Sequence, residues 1–265
     1  MITMRVSLVQ MDIKIGEPEA NRSRALELME QAVSGEPKPD CIILPEMWNT
    51  GYALEVIEKI ADRGGEATKA AFSEFARKHR VNIVAGSVAD VREDGKVANT
   101  IYVFDREGRV VSDYSKLHLF RLMEEEKYLA AGERAGSFEL EGTPAGMMIC
   151  YDIRFPELSR SLALGGAKVL FVPAEWPHPR LHHWRTLLMA RAIENQMYVV
   201  ACNRVGTSRG TEFFGHSMVI DPWGEIIVEG GEEETILTAE LQLSETDRVR
   251  RTIPVFEDRR PEMYR

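Results

Sequence analysis

The chain has 265 residues, 44% of them hydrophobic and 28% charged, with 20 Gly and 12 Pro. That is the balance of a globular protein of one large domain or two small ones, and it excludes a disordered, collagenous or coiled-coil chain. The 42 Asp and Glu against 33 Lys and Arg leave a formal charge of -9, which argues against capture of nucleic-acid phosphates or anionic lipid, since both need basic surface.

In chain order, residues 5–11 alternate in polarity and predict a strand, and residues 19–32 have helical spacing. Residues 41–44 predict a strand stopped by Pro45, residues 66–79 an amphipathic helix, and residues 81–88, VNIVAGSV, one buried strand. Strands at 100–104 and 110–113 flank an Asp-x-x-Gly turn and predict a hairpin. The second half predicts strands at 138–140, 145–149, 169–172, 198–202, 217–220, 225–228 and 235–240, with helices at 157–164 and 181–197. Strands alternating with helices, plus hairpins, imply an α/β protein with at least one large mixed sheet. No linker, low-complexity run or repeat divides residues 1–265, so one domain is expected, with residues 244–265 as an exposed, densely charged C-terminal arm.

Cys41, Cys150 and Cys202 lie far apart and include no Cys-x-x-Cys, which leaves neither a disulfide framework nor a zinc ribbon. The first residues form a short alternating run where a signal peptide would carry a basic segment and an apolar core, and no apolar stretch reaches about 18 residues. A cytoplasmic protein with reduced thiols is the expectation.

Residues 206–210, GTSRG, match the Gly-x-Ser-x-Gly of serine hydrolases. That chemistry needs the serine on a turn from strand into helix. The segment EFFGHSMVIDPWG, a few residues after Ser208, reads as loop and strand, which favours a plain polar loop. His178 and His182 have the spacing of two ligands on one helix face, but Pro177 and Pro179 interrupt the helix and His183 adds no evident third ligand. Loop or surface histidines are favoured, and no metal is expected. There is no Gly-x-Gly-x-x-Gly after a strand and no P-loop, so a nucleotide cofactor lacks its usual phosphate cradle.

Cys150 ends the apolar run GMMIC just before a helix start, where the thiol of an α/β fold meets backbone N–H groups. Taken alone, it reads equally as a core cysteine. Glu46 follows CIILP and Lys116 follows VVSDYS, each just past a strand end like Cys150. If the three termini converge, a carboxylate can take the thiol proton and return one to a leaving amine, while an ammonium stabilises the oxyanion.

With these residues the sequence resembles the nitrilase superfamily of carbon–nitrogen hydrolases. The resemblance runs from Met4 to the C-terminal segment. It rests on LPEMWNTGY around Glu46, YSKLHLF around Lys116, ICYDIRFPEL around Cys150, and AEWPHPRLHHW followed by ARAIENQ and CNRVG. It implies a four-layer αββα sandwich, assembled as a homodimer or higher homo-oligomer, with no cofactor. It also implies a second active-site glutamate in RLMEEEKYLAAG. The family pattern points to Glu125, with Glu124 and Glu126 as alternatives.

Tyr151 and Asp152 stand where true nitrilases carry Trp and Glu, which disfavours nitrile hydrolysis. HLFRLM, CYDIRFPE, AEWPHPRLHHW and DPWG are most similar to the bacterial omega-amidase branch, the 2-oxoglutaramate amidases associated with methionine salvage. The resemblance then implies Glu46 as general base toward Cys150, with the oxyanion held by Lys116 and the Tyr151 N–H, a thioester intermediate, and water positioned with Glu125. Arg154 is expected either to grip the distal substrate carboxylate or to form a structural ion pair with Asp152 or Glu157. Trp176 and Phe120 are expected as pocket walls, and Tyr52 as a contact to substrate or to Glu46. The alternatives are an N-carbamoyl amino acid hydrolase, an aliphatic amidase, a Ser208-dependent hydrolase, and a catalytically silent binding module.

Overall fold

Strand residues that alternate in side-chain direction sort here into two different cores. The computed structural model describes residues 3–264. Val6 and Leu8 of strand Thr3–Gln10 enter one core and Val9 the other; Cys41 and Ile43 oppose Ile42 and Leu44; Ile101 and Val103 oppose Tyr102 and Phe104. A sheet with an apolar face on each side must be covered twice. One face packs on a second sheet, through Phe171, Val200 and Met147. The other packs on two helices, Pro18–Ser34 and Glu66–His79, through Leu28, Met29, Phe72 and Phe75. The second sheet is covered in turn by helices Pro156–Leu164 and Leu181–Asn195, through Leu158, Leu162, Trp184 and Leu188. The layers are therefore helix, sheet, sheet, helix, the αββα sandwich the resemblance implies. A one-residue slip in any central strand would exchange its core faces, and each buried Val, Leu or Ile contributes about 1.5–3 kcal/mol to holding the register.

The first sheet runs in the order Thr235–Gln242, Thr3–Gln10, Cys41–Ile43, Asn82–Val84, Val97–Phe104, Val88–Val91, Asp62–Arg63, with Val110–Ser115 also paired to Val97–Phe104. The second runs Ile226–Glu229, Met218–Ile220, Tyr198–Asn203, Val169–Ala174, Thr143–Met147, Gly136–Leu140. Parallel pairs sit at the heart of each: Thr3–Gln10 with Cys41–Ile43 with Asn82–Val84, and Thr143–Met147 with Val169–Ala174 with Tyr198–Asn203.

Helix Glu66–His79 occupies the predicted residues, and its last turn is basic, opposite the negative end of the helix dipole. The single strand expected over residues 81–88 is instead two, Asn82–Val84 and Val88–Val91. Gly86 breaks it. Its φ is +58°, and a Cβ there would lie 2.1 Å from the Pro45 carbonyl oxygen. The polar loop expected around Ser208 is a hairpin, Val205–Ser208 with Thr211–Phe214. Of the C-terminal segment, Ser244–Thr252 is a helix with Thr246 and Val249 buried, tied down by Lys168 to Asp247 at 2.7 Å and by Arg250 to the Ala167 carbonyl at 2.7 Å. Phe256 then lies under the guanidinium groups of Arg160 and Arg250.

Candidate active site

Three strands end on one pocket. Cys41–Ile43 of the first sheet runs into Pro45 and Glu46, and the Glu46 N–H reaches across to the carbonyl of Ala174, the last residue of a second-sheet strand, at 3.4 Å. Val110–Ser115 delivers Lys116, whose N–H is held by the Asn99 carbonyl at 2.9 Å and whose carbonyl is held by the Gly132 N–H at 2.8 Å. Thr143–Met147 leads through Met148 and Ile149 into Cys150, the first residue of a 3-10 turn, Cys150–Arg154.

Cys150 has φ +45°, a left-handed conformation that is costly for a residue with a side chain. Asp152 holds it there. Its buried carboxylate accepts from the Ile149 N–H at 2.9 Å, the Tyr114 hydroxyl at 2.7 Å and the His118 N–H at 3.0 Å.

The Lys116 ammonium, fully buried, donates to Glu46 Oε1 at 2.8 Å and to Glu125 Oε1 at 2.7 Å. Tyr52 bridges the same two oxygens, at 2.8 Å to Glu46 and 2.6 Å to Glu125. Glu46 Oε1 also accepts from Asn99 Nδ2 at 2.8 Å, and Oε2 from the Glu175 N–H at 2.8 Å. Glu125 Oε2 accepts from the Phe120 N–H at 2.9 Å. Of the three glutamates in the loop, Glu125 alone turns inward; Glu124 pairs with Lys127 on the surface and Glu126 is exposed.

These contacts separate the two carboxyl groups. Burial opposes ionisation of Glu46, but the Lys116 ammonium and the donated N–H groups outweigh it and hold its pKa below the ordinary range. For Glu125, burial and the Glu46 charge prevail over the same ammonium and push it up. Burial and Glu46 also drive the Cys150 thiol well above its usual value, with Lys116 opposing. The resting site is therefore a neutral thiol beside an ionised carboxylate, an arrangement suited to proton transfer during attack rather than to a standing thiolate.

The pocket above Cys150 is lined by Tyr52, Phe120, Tyr151, Arg154 and Trp176, with Glu175 and Arg180 in addition. Phe120 and Tyr151 rings lie 4.8 Å apart. The structural ion pair weighed for Arg154 is not formed: Asp152 is taken by the contacts above, and among the described residues Arg154 has no carboxylate partner. Its guanidinium lies 4.7 Å from the Trp176 ring and 3.3 Å from His183 Nδ1. Arg180 and Glu175 were not singled out from the sequence. Both lie within AEWPHPR, where only the tryptophan suggested a pocket wall; the signal that could have found Glu175 is an acidic residue directly after a buried strand.

Ser208 sits on its hairpin, away from any strand-to-helix turn. Among the described residues, no group of three or more His, Cys, Asp or Glu is placed to hold a metal ion; His178 packs against Phe214.

The carbon–nitrogen hydrolase family model matches residues 5–251. A 2-oxoglutaramate amidase of Bacillus subtilis is 48% identical over 259 residues, 98% of both chains. The omega-amidase NIT2 of Homo sapiens is 30% identical, over 100% of this chain and 98% of that one. Among solved structures, XC1258 of Xanthomonas campestris, a CN-hydrolase superfamily protein, superposes with TM-score 0.91 at 32% identity over 98% of each chain. Nit3 of Saccharomyces cerevisiae, a member of branch 10 of the nitrilase superfamily, superposes with TM-score 0.89 at 30% identity, over 96% of this chain and 95% of that one. With the sandwich, the converging strand ends and these matches in agreement, the chain belongs to the carbon–nitrogen hydrolase family, within the nitrilase superfamily that its motifs resemble, and is a hydrolase.

Proposed function

We propose that this protein is an omega-amidase, hydrolysing the amide of a 2-oxo dicarboxylic acid monoamide such as 2-oxoglutaramate to the dicarboxylate and ammonia. The observation that carries the reading is Arg154, a guanidinium that has no carboxylate partner among the described residues, in the pocket that opens onto Cys150. A planar fork donor left unpaired beside a nucleophile suits a substrate with a carboxylate at one end and a reactive carbonyl at the other. The names of the relatives, 2-oxoglutaramate amidase and omega-amidase, support the same substrate class.

Glu46 takes the thiol proton as Cys150 Sγ attacks the amide carbon. The oxyanion is stabilised by Lys116 and the Tyr151 N–H, donors each worth roughly 10²- to 10³-fold in rate. Glu46 returns the proton to the nitrogen, ammonia leaves, and a thioester remains. Water, deprotonated by Glu46 and positioned with Glu125, attacks the thioester carbon; the C–S bond breaks, Cys150 Sγ takes back the proton from Glu46, and the dicarboxylate leaves. Tyr52 fixes the separation of the two carboxyl groups, while Phe120 and Trp176 wall the acyl chain. In this reading residues 1–265 are one catalytic domain with a C-terminal arm, acting in the cytoplasm in methionine salvage. The protein would assemble as a homodimer or larger homo-oligomer, for which Ile193 and Ile227 supply exposed apolar surface.

The test is ammonia release from 2-oxoglutaramate beside glutamine, a carbamoyl amino acid and butyramide, with Cys150→Ala as control. Preference for the 2-oxo amide, lost in the variant, is the expected result. Preference for another of the four overturns the substrate, and silence on all four leaves a binding module.

A further inference from the structure

In the cluster around Lys116, Glu46 and Glu125 have a donor on each carboxylate oxygen. Glu175 does not. It is fully buried, follows the strand Val169–Ala174 directly, and lines the same pocket as Cys150. Its Oε2 accepts from Arg204 Nη1 at 3.0 Å, while Oε1 is out of contact with water and has no partner among the described residues. A carboxylate oxygen in that position is costly unless a donor arrives.

Pairing with Arg204 does not account for it. Arg204 is itself buried and bonded at all three nitrogens: besides Nη1, Nη2 donates to Asp12 Oδ1 and to the Ile13 carbonyl, both at 2.9 Å, and Nε to the Val205 carbonyl at 3.0 Å. One oxygen of Glu175 completes that set. The other remains directed at nothing the protein supplies, beside a pocket whose ligand, on the reading above, carries a primary amide. The carbonyl of that amide is matched by Lys116 and the Tyr151 N–H. Of the carboxylate oxygens of Glu46, Glu125 and Glu175, Glu175 Oε1 alone has no donor among the described residues, which makes it the acceptor most open to one of the two amide N–H groups.

We propose that Glu175 Oε1 accepts an N–H of the scissile carboxamide, orienting the nitrogen toward Glu46 and making the site selective for amides over esters. This rests on the amidase reading. Glu175 keeps its own protonation through the step. The Cys150 Sγ–C bond forms as the thiol proton passes to Glu46; the C–N bond then breaks as Glu46 protonates the nitrogen, and ammonia departs from its hydrogen bond to Glu175. Burial and the Glu46 charge push the Glu175 carboxyl up to about 8 in the empty pocket, with Arg204 opposing. A donor brought by substrate acts in the opposite sense and favours the carboxylate.

The experiment compares two substrates with one acyl group: 2-oxoglutaramate, and the methyl ester of the same omega-carboxyl, which has no N–H to offer. In Glu175→Gln, Arg204 retains the side-chain oxygen and the new amino group takes the place of Oε1, replacing an acceptor with a donor. We expect kcat/KM on the amide to fall on the order of 10- to 100-fold, with less than about a threefold change on the ester. Glu175→Asp keeps the charge for Arg204 but withdraws the oxygen by one methylene, and carries the same expectation should the first variant not fold. Equal losses on both substrates in a folded variant, or an unchanged amide rate, overturn the proposal. If the wild type prefers another amide, butyramide with methyl butyrate makes the same comparison, so a wrong substrate and a wrong role for Glu175 give different results.

Discussion

Tyr52 is the residue that ties the two carboxyl groups to one another. Its hydroxyl touches Glu46 Oε1 at 2.8 Å and Glu125 Oε1 at 2.6 Å, inside a cluster closed to water. Removing it leaves two buried carboxyl groups with Lys116 as the main donor they share. Tyr52→Phe is expected to lower kcat/KM on the order of 10- to 100-fold, the cost of hydrogen bonds to charged groups, mostly in kcat, because no contact to the acyl chain is lost. Steady-state kinetics checks it; an unchanged kcat means that Lys116 orders both carboxyl groups unaided. For Arg154→Lys the loss should fall on KM instead, because an ammonium keeps the charge and loses the bidentate fork. A change confined to kcat would remove Arg154 from substrate binding. Glu46, Lys116 and Cys150 were legible in the sequence because each stands at the end of a segment that reads as a strand. Glu125 was legible only through the family pattern, since a run of three glutamates looks like a solvated loop.

At the scale of elements, the site depends on how a strand ends. Gly86 interrupts what reads as one eight-residue strand and lets the chain pass against Pro45, one residue before Glu46. The Ser87 N–H bonds the Pro45 carbonyl at 3.1 Å, and Ser87 Oγ accepts the Met47 N–H at 2.9 Å, so this crossing fixes Glu46 on both sides. Gly86→Ala places a methyl group against backbone and strains a left-handed residue, so a stability loss of about 2 kcal/mol or more is expected. It should come with a fall in activity greater than unfolding explains. Urea midpoints and specific activity at low temperature check this, and a wild-type midpoint would show that the crossing yields easily. The broken strand was not legible, because Gly86 is forced by a carbonyl from a segment about 40 positions earlier, a tertiary contact that local pattern does not carry. Hairpin Val205–Ser208 with Thr211–Phe214 was missed for a similar reason: Val205 bridges to Asp12, in the first sheet's half of the molecule.

For the whole molecule, the site is a seam between two sheets, and burying ionisable groups there links stability to pH. Glu175 has a folded-state pKa raised to about 8 from an ordinary 4.5, chiefly by burial. The folded state thus holds a proton that the unfolded state has released between those values, so this group makes stability fall as pH rises from 4.5 to about 8, with no further change above. The wild type is expected to lose on the order of a few kcal/mol across that window relative to Glu175→Gln, which lacks the titration. Urea denaturation of both proteins at pH 5, 6.5 and 8.5 measures the difference, and parallel slopes would mean that Glu175 stays ionised beside Arg204.

The alternation that makes two-faced strands, the amphipathic helices that cover them, and the motifs that mark the chain as a carbon–nitrogen hydrolase can all be read along the chain. These are properties of neighbouring residues, so they survive in one dimension. Which charges lie together depends on the folded chain: Lys116 between Glu46 and Glu125, 70 and 9 positions away, and, among the described residues, Arg154 without a carboxylate and Glu175 with one oxygen paired and one bare. A charged residue reads in sequence as surface, because water is its usual partner. It becomes a site only where folding removes the water and supplies, or withholds, another partner.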